Sequence, residues 1–367
     1  MVVHLPNSFK LAKRTETFFI REQLTMGFQK LPEEIADLIT ELIDVLACEE
    51  LVGFSNDLQI KTIGGNRHLV AGTEAGQASV SGYVGHETPV LLRRLERLRS
   101  GEISAAALEA RREEILVQLK RVSFLPVEQE TGALLATLAK HGVFRMGGVL
   151  VGTHAFRLYE VLLGIRFDPG YADFTRDVDI AAFQRLSGEI SELGQVSVPA
   201  ILEQLGYAPA MGLEPERCWR WVMSSDREHS VEFLAPSFDA SEGLVKLPAF
   251  LVDAQSLHFL NFLLADTVQV CVLQDSGFLV RIPAPEHFAL HKLIVATRRH
   301  PNAAEKAAKD RRQAKLLIEV CMKTRKPELK LAWEDAMARG AAWRKRLKDA
   351  VCRDADLVRL MSEEFLS

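Results

Sequence analysis

Apolar residues at Ile35, Leu38, Ile39, Leu42, Ile43 and Leu46 recur every three or four positions, the period of one buried helix face. They predict a helix that opens at Pro32-Glu33-Glu34 and runs through Cys48. From about residue 51 to 86 the pattern changes to alternation broken by Gly64-Gly65, Gly72, Gly76, Gly82 and Gly85, which predicts a small sheet with turns. Thr88-Pro89 starts a second helical stretch that continues to about Arg121. Further on, the spacing predicts a helix over Thr131–His141, a strand over Val143–Val151, and a helix over Ala155–Leu163 with Phe156, Tyr159 and Leu163 inward. Alternating segments at Asp177–Phe183, Arg217–Met223, His229–Leu234, Val268–Leu273 and Phe278–Ile282 predict strands. Between them Pro199–Leu205 reads as a helix stopped by Gly206. From Pro285 onward the chain reads as helical.

These elements make a mixed α/β chain in three regions. Residues 1–122 form a helix-rich N-terminal region with a small glycine-rich sheet, 123–283 a mixed-sheet domain, and 284–367 a basic helical C-terminal domain. The 367 residues are enough for several domains and a large core, with 48% apolar and 26% charged residues as in ordinary globular proteins. The most apolar stretch, Leu257 to Leu273, is interrupted by Asn261, Asp266 and Gln269, so no membrane span is expected. Five scattered cysteines without a Cys-x-x-Cys pair argue against a disulfide framework or thiolate zinc site and for a cytoplasmic location. The N-terminus lacks the layout of a signal peptide.

Candidate chemistry concentrates in Thr175-Arg176-Asp177-Val178-Asp179-Ile180. Alternate side chains of a strand share a face, so Asp177 and Asp179 project side by side, roughly 7 Å apart, while Val178 and Ile180 turn to a core. Paired carboxylates suit two oxygen-seeking Mg²⁺ (or Mn²⁺) ions that also hold a nucleotide's phosphates. Glu232, with Val231 and Phe233 on the opposite face of its own strand, can complete the set. Gly152-Thr153 closes an apolar run just before a helix, where unpaired backbone N–H groups suit a phosphate. Gly147-Gly148 is a second candidate, but Val149-Leu150-Val151 continues the strand beyond it.

The order of apolar strand, Gly-Thr, helix, Asp-x-Asp strand and later carboxylate resembles the polymerase-β-type nucleotidyltransferase superfamily. More closely, the run Met146-Gly-Gly-Val-Leu-Val-Gly-Thr-His-Ala-Phe-Arg-Leu-Tyr-Glu160 with Thr175–Ile180 is similar to a family of uncharacterised bacterial nucleotidyltransferase-fold proteins. Pro283–Leu293, Ala308-Lys309-Asp310 and, more loosely, Ser81–Gly85 extend the likeness. The resemblance implies a polymerase-β-like α+β core. It places Asp177, Asp179 and Glu232 on the metal-binding carboxylates and Gly152-Thr153 on the phosphate-contacting turn, beside Thr175 and Arg176. Three features depart from the superfamily pattern. Thr153 replaces the usual Ser or Gly, Glu232 replaces the commoner Asp, and Gly164–Phe174 is an apparent insertion.

Charge adds one element. Residues 281–350 carry 18 Lys and Arg against 8 Asp and Glu, a surplus of about +10 in a chain of net charge −4. That surplus reads either as solvated helix faces or as a basic wall drawing a triphosphate or an RNA acceptor. Lys292 is the first candidate for a phosphate contact and Lys309, with Asp310, the next, whereas Lys306, Arg311, Arg312 and Lys315 read as surface. His287 and His291 have zinc-ligand spacing but no evident third ligand. Trp219 and Trp221 read as sheet packing.

The expected activity is transfer of an NMP from an NTP to an acceptor hydroxyl by two metal ions, with release of pyrophosphate. RNA, protein and small molecule are all open as acceptor. The alternatives are a catalytically degenerate nucleotide-binding protein, or a toxin-like component restrained by a partner protein.

Overall fold

A computed structural model describes residues 27–54, 58–71, 82–122, 127–171, 175–210, 217–361 and 365. Gly72, Gly76, Ser81 and Phe174, and the stretch before Gly27, lie outside the described residues. The chain begins with β1 (Phe28–Lys30) and α1 (Glu33–Val52). Pro32 precedes α1, and Ile39, Leu42, Val45, Leu46 and Leu51 are buried along it. β2 (Leu58–Ile63), β3 (Asn66–Ala71) and β4 (Tyr83–His86) form an antiparallel three-stranded sheet. Its first hairpin turns at Gly64 and Gly65, at φ +59° and +84°, the left-handed pair that a two-residue hairpin loop needs.

The expected helix from Pro89 to Arg121 is two helices, α2 (Pro89–Arg99) and α3 (Ala105–Leu119). Gly101, at φ +73°, breaks it, and Ser104 caps the second piece by accepting the Ala107 N–H. Next come α4 (Gln129–Lys140), β5 (Val149–Val151) and α5 (Gly152–Leu163). The strand expected over Val143–Val151 is confined to its last three residues. Gly142 and Gly147, at φ +84° and +94°, turn the preceding segment back on itself, and Val143, Phe144 and Met146 are buried in that turn.

β6 (Ile165–Phe167), which pairs with β1, leads to β7 (Asp177–Ala181), α6 (Gln184–Ser191), α7 (Val198–Gln204), β8 (Tyr207–Pro209), β9 (Arg220–Met223) and β10 (Ser230–Pro236). β11 (Leu244–Leu247), β12 (Val252–Leu257), the short α8 (Leu260–Leu263), β13 (Thr267–Val272) and β14 (Phe278–Pro283) follow. The main sheet has the order β11-β12-β10-β7-β5, with β9 pairing β10 beside its first half and β8 pairing β9. β7, β10 and β12 are parallel to one another, and β5, β9 and β11 run against them. The sheet is therefore mixed, as expected.

The C-terminal helices are α9 (Pro285–Arg298), α10 (Ala304–Thr324), α11 (Lys326–Ala338), α12 (Ala341–Cys352) and α13 (Ala355–Met361). One hydrophobic core runs from α1 through the main sheet into these helices, with Phe156, Phe233, Phe250, Phe262 and Phe288 among its fully buried members. α9 packs against α10 and brings the basic C-terminal region over the edge where β5 and β7 end. No helix among the described residues is long and apolar enough to cross a membrane.

Candidate active site

Asp177 and Asp179 share one face of β7, and Val178 and Ile180, at most 1% exposed, anchor the other in the core. β10 lies parallel to β7 with Ser230 opposite Asp177 and Glu232 opposite Asp179. Val231 and Phe233 are fully buried, so Glu232 faces the same side as the two aspartates. Ser230 Oγ donates to Asp177 Oδ1 at 2.7 Å, which holds the outer carboxylate in place.

On the other side of Asp179, Val151 of β5 is its register partner, and Gly152 turns the chain into α5. Gly152 has φ +72°, and a Cβ there would collide with Asp179 Oδ2. A side chain at 152 is thus barred both by backbone conformation and by the carboxylate. Gly147 instead faces Leu186, and Gly148 backs onto the Val143 carbonyl. Gly152 is therefore the glycine at the carboxylates, with Thr153 next to it in α5, and the first-turn N–H groups of α5 open beside Asp179.

The electrostatics follow from this crowding. Burial, then Glu232 and Asp177, push the Asp179 carboxyl up to about 7, against the opposing pull of Lys292 and Arg220. Burial also raises Glu232, while Arg220 and the more distant Lys306 draw it down. Arg220 Nε stands 3.3 Å from Glu232 Oε1, and its Nη2 stands 4.0 Å from Asp177 Oδ1. This arginine was not expected from the sequence. Its signal was the alternation Cys218-Trp219-Arg220-Trp221, in which buried Trp221 forces Arg220 to the opposite, carboxylate face.

Lys292, on α9, lies beside Asp179 in a cavity of about 320 Å³ that is also lined by Gly152, Phe288, His291, Arg298 and Arg299. Its Nζ binds Asp310 Oδ1 at 2.7 Å and lies 5.3 Å from the centre of the Phe288 ring. Arg299 Nε holds the other oxygen of Asp310, which is 2% exposed, at 3.0 Å. Asp310 is thus the counterion of two cations at the site. His291 lines the same cavity, and burial drives its ring down to about 3, so it is neutral at working pH. His287 packs on Phe262.

Lys309 sits near the start of α10, where its charge reaches the buried His154 of α5. Lys306, expected at the surface, is exposed but its charge is felt at Glu232. Thr175 Oγ1 accepts the Asp177 N–H at 3.2 Å. Arg176 turns away from the carboxylates, and its Nη1 binds Asp226 at 2.8 Å and Glu228 at 3.1 Å. The structure thus brings together Asp177, Asp179, Glu232, Gly152, Thr153 and Lys292, places Lys309 and Lys306 nearby, and gives Arg176 to a separate acidic pair.

These residues fall inside one family match. A nucleotidyltransferase family model matches residues 129–338, from the first residue of α4 to the last of α11. The chain belongs to this nucleotidyltransferase family. Neither a curated protein nor a solved structure matches it. The match covers more than half of the chain and contains the whole mixed sheet, the carboxylate face and the Lys292 helix.

Among the described residues no three His, Cys, Asp or Glu side chains stand together as a ready-made metal site. Three carboxylates on one face, one of them raised to about 7 by burial and then by the other two, nonetheless have the donor chemistry that a hard divalent cation would fit. Arg220 is the cation that partly balances them, and its guanidinium occupies the Glu232 side of the face.

Proposed function

We propose that this nucleotidyltransferase moves an NMP from an NTP onto an acceptor hydroxyl and releases pyrophosphate. The observation that supports this most is the register of β7 and β10, which sets Glu232 directly across from Asp179 beside the helix-opening Gly152. Asp177, Asp179 and Glu232 are the residues that would hold Mg²⁺ or Mn²⁺, which when bound would neutralise the carboxylates and polarise the α-phosphate. The N–H groups at Gly152 and Thr153, with the Thr153 hydroxyl, cradle the β- and γ-phosphates. Lys292, drawn from Asp310 toward the triphosphate, supplies a positive charge within the cavity.

Glu232 orients the acceptor and takes its hydroxyl proton. The acceptor oxygen then bonds to the α-phosphorus as the bond to the β-phosphate oxygen breaks, and pyrophosphate leaves. The decisive experiment incubates the protein with each α-labelled NTP, Mg²⁺ or Mn²⁺, and pooled RNA, protein and metabolite acceptors. Label transfer that disappears in Asp177→Ala/Asp179→Ala supports the reading, and transfer that persists there removes it.

The contact of Arg220 with Glu232 favours a second reading, in which an internal cation has replaced part of the metal's role and the site binds nucleotide without turnover. Nucleotide affinity without label transfer to any acceptor would select it.

A further inference from the structure

On the side of the molecule formed by the N-terminal region lies a cavity of about 430 Å³, between α1, β4, the start of α2 and the β13–β14 hairpin. Its wall carries three guanidinium groups, Arg94, Arg145 and Arg281, and one carboxylate, Glu50. Arg94 already has a partner, since both its Nε and Nη2 lie 2.9 Å from Asp44 Oδ1. The other two bind neutral groups only. Arg145 Nε donates to the Tyr83 carbonyl at 2.8 Å and its guanidinium lies over the Phe54 ring, but its Nη2 is buried with no hydrogen-bond partner. Arg281 Nη1 donates to Thr267 Oγ1 at 3.2 Å. Among the described residues neither Arg145, Arg281 nor Glu50 forms an ion pair.

Cations drawn partly out of water without counterions are costly, and proteins ordinarily pair them. Here Glu50 is the single acid facing two unpaired guanidinium groups, and burial raises its own pKa despite them. Burial in turn lowers both Arg145 and Arg281. The opening of α2, where Thr88 accepts the Leu91 N–H, also lines the cavity and presents the positive end of an eleven-residue helix. Planar forks of N–H donors, a helix N-terminus and a deficit of negative charge match an oxyanion, and a phosphate group brings the most negative charge to it.

We propose that this cavity is a second anion site, distinct from the carboxylate face, that takes the phosphate group of a small molecule. Arg145 and Arg281 grip the phosphate oxygens, and Glu50 opposes binding by competing for the same cations. The site adjoins β14, the strand that runs directly into α9 and Lys292.

The test titrates the full chain with inorganic phosphate, pyrophosphate or AMP, without divalent metal and at constant ionic strength, following heat release and Tm. Saturable binding is expected, weakened at least tenfold by Arg281→Met, unaffected by Lys292→Ala, and tightened severalfold by Glu50→Gln. Equal affinity for phosphate and AMP identifies free phosphate as the source, and tighter AMP binding identifies an esterified one. Binding lost in Lys292→Ala but retained in Arg281→Met would assign the anion to the carboxylate site and overturn the proposal. So would the absence of saturable binding, or an affinity that Glu50→Gln leaves unchanged. Should Arg281→Met fail to fold, the Glu50→Gln comparison decides alone.

Discussion

Glu232 faces Asp179 across the parallel pairing of β7 and β10, and Arg220 faces Glu232 from β9 on its other side. The result is a row of acid, acid and base across three neighbouring strands, closed at one end by Gly152. Asp179 is the member that solvent reaches least, and two neighbouring carboxylates raise it further. A cation brought to this row relieves a repulsion already built into the fold.

That repulsion makes stability depend on pH in a definite direction. The Asp179 carboxyl lies near 3.8 when unfolded and at about 7 when folded, so the folded state holds the extra proton between those values. Its stabilising contribution is complete below about 4, falls as pH rises to about 7, and stays lost above. Asp179→Asn should therefore be more stable than the parent at pH 8, by on the order of 3 kcal/mol, with the gap closing toward pH 4. Urea titrations at several pH values measure it. A gap independent of pH would contradict the assignment. Mg²⁺ at pH 8 should raise the Tm of the parent and not of Asp179→Asn.

Gly152→Ala tests the closing end of the row. The positive φ costs about 1 kcal/mol for alanine, and the added methyl must also displace the Asp179 carboxylate. Destabilisation of about 1–3 kcal/mol with loss of Mn²⁺-NTP binding is expected. Gly147→Ala, at a comparable φ of +94° but facing Leu186, should cost stability and leave nucleotide affinity nearly unchanged. Equal loss of affinity in both would place the phosphate turn elsewhere.

The carboxylate face was legible because strand alternation alone assigns Asp177 and Asp179 to one side, and Val231 and Phe233 do the same for Glu232. Its neighbours were not. Arg220 reaches Glu232 through the β9–β10 hairpin, whose register is set by the turn between Met223 and His229 and not by alternation, so Arg220 carries only a face and no partner in the sequence pattern. Arg176 adjoins Asp177 in sequence, yet the pairing that claims it comes from Asp226 and Glu228, about fifty residues on. β11 and β12 leave no clear mark in the sequence because their inward positions include small residues such as Ala254 and Ser256 instead of a strong apolar alternation. β1 and β6 are three residues each, too short for any period to register. Much of the C-terminal basic surplus proves to be locally matched, as in Lys315 with Asp354 and Asp356, Arg325 with Glu286 and Arg339 with Asp335.

Glu232→Gln separates chemistry from binding. It keeps the shape of the side chain and removes the charge that takes the acceptor's proton. NTP affinity should stay within a few-fold of the parent while label transfer drops by at least 10²-fold. Full activity in the variant would move the proton acceptor away from Glu232. Arg220→Met, by contrast, removes the internal cation, so its Tm should fall in EDTA and recover on adding Mg²⁺. A fall that Mg²⁺ does not reverse would make Arg220 a packing residue alone.

Lys292 and Asp310 make the last test, because one pair predicts opposite changes in nucleotide affinity. Lys292→Ala removes a positive charge beside Asp179, and NTP binding should weaken about tenfold. It also leaves the buried Asp310 with Arg299 alone, at a cost of about 2 kcal/mol, so affinity must be compared on folded protein. Asp310→Asn frees Lys292 and Arg299 from their shared counterion, and NTP binding should then tighten. Lys315→Ala, whose partners are Asp354 and Asp356, should change neither. If Asp310→Asn weakens the nucleotide as much as Lys292→Ala does, the pair serves to hold α9 on α10, and the phosphate charge comes from Lys309 or Lys306 instead. Isothermal titration with Mn²⁺-NTP on the three variants distinguishes these outcomes, since only a phosphate-facing Lys292 gives effects of opposite sign.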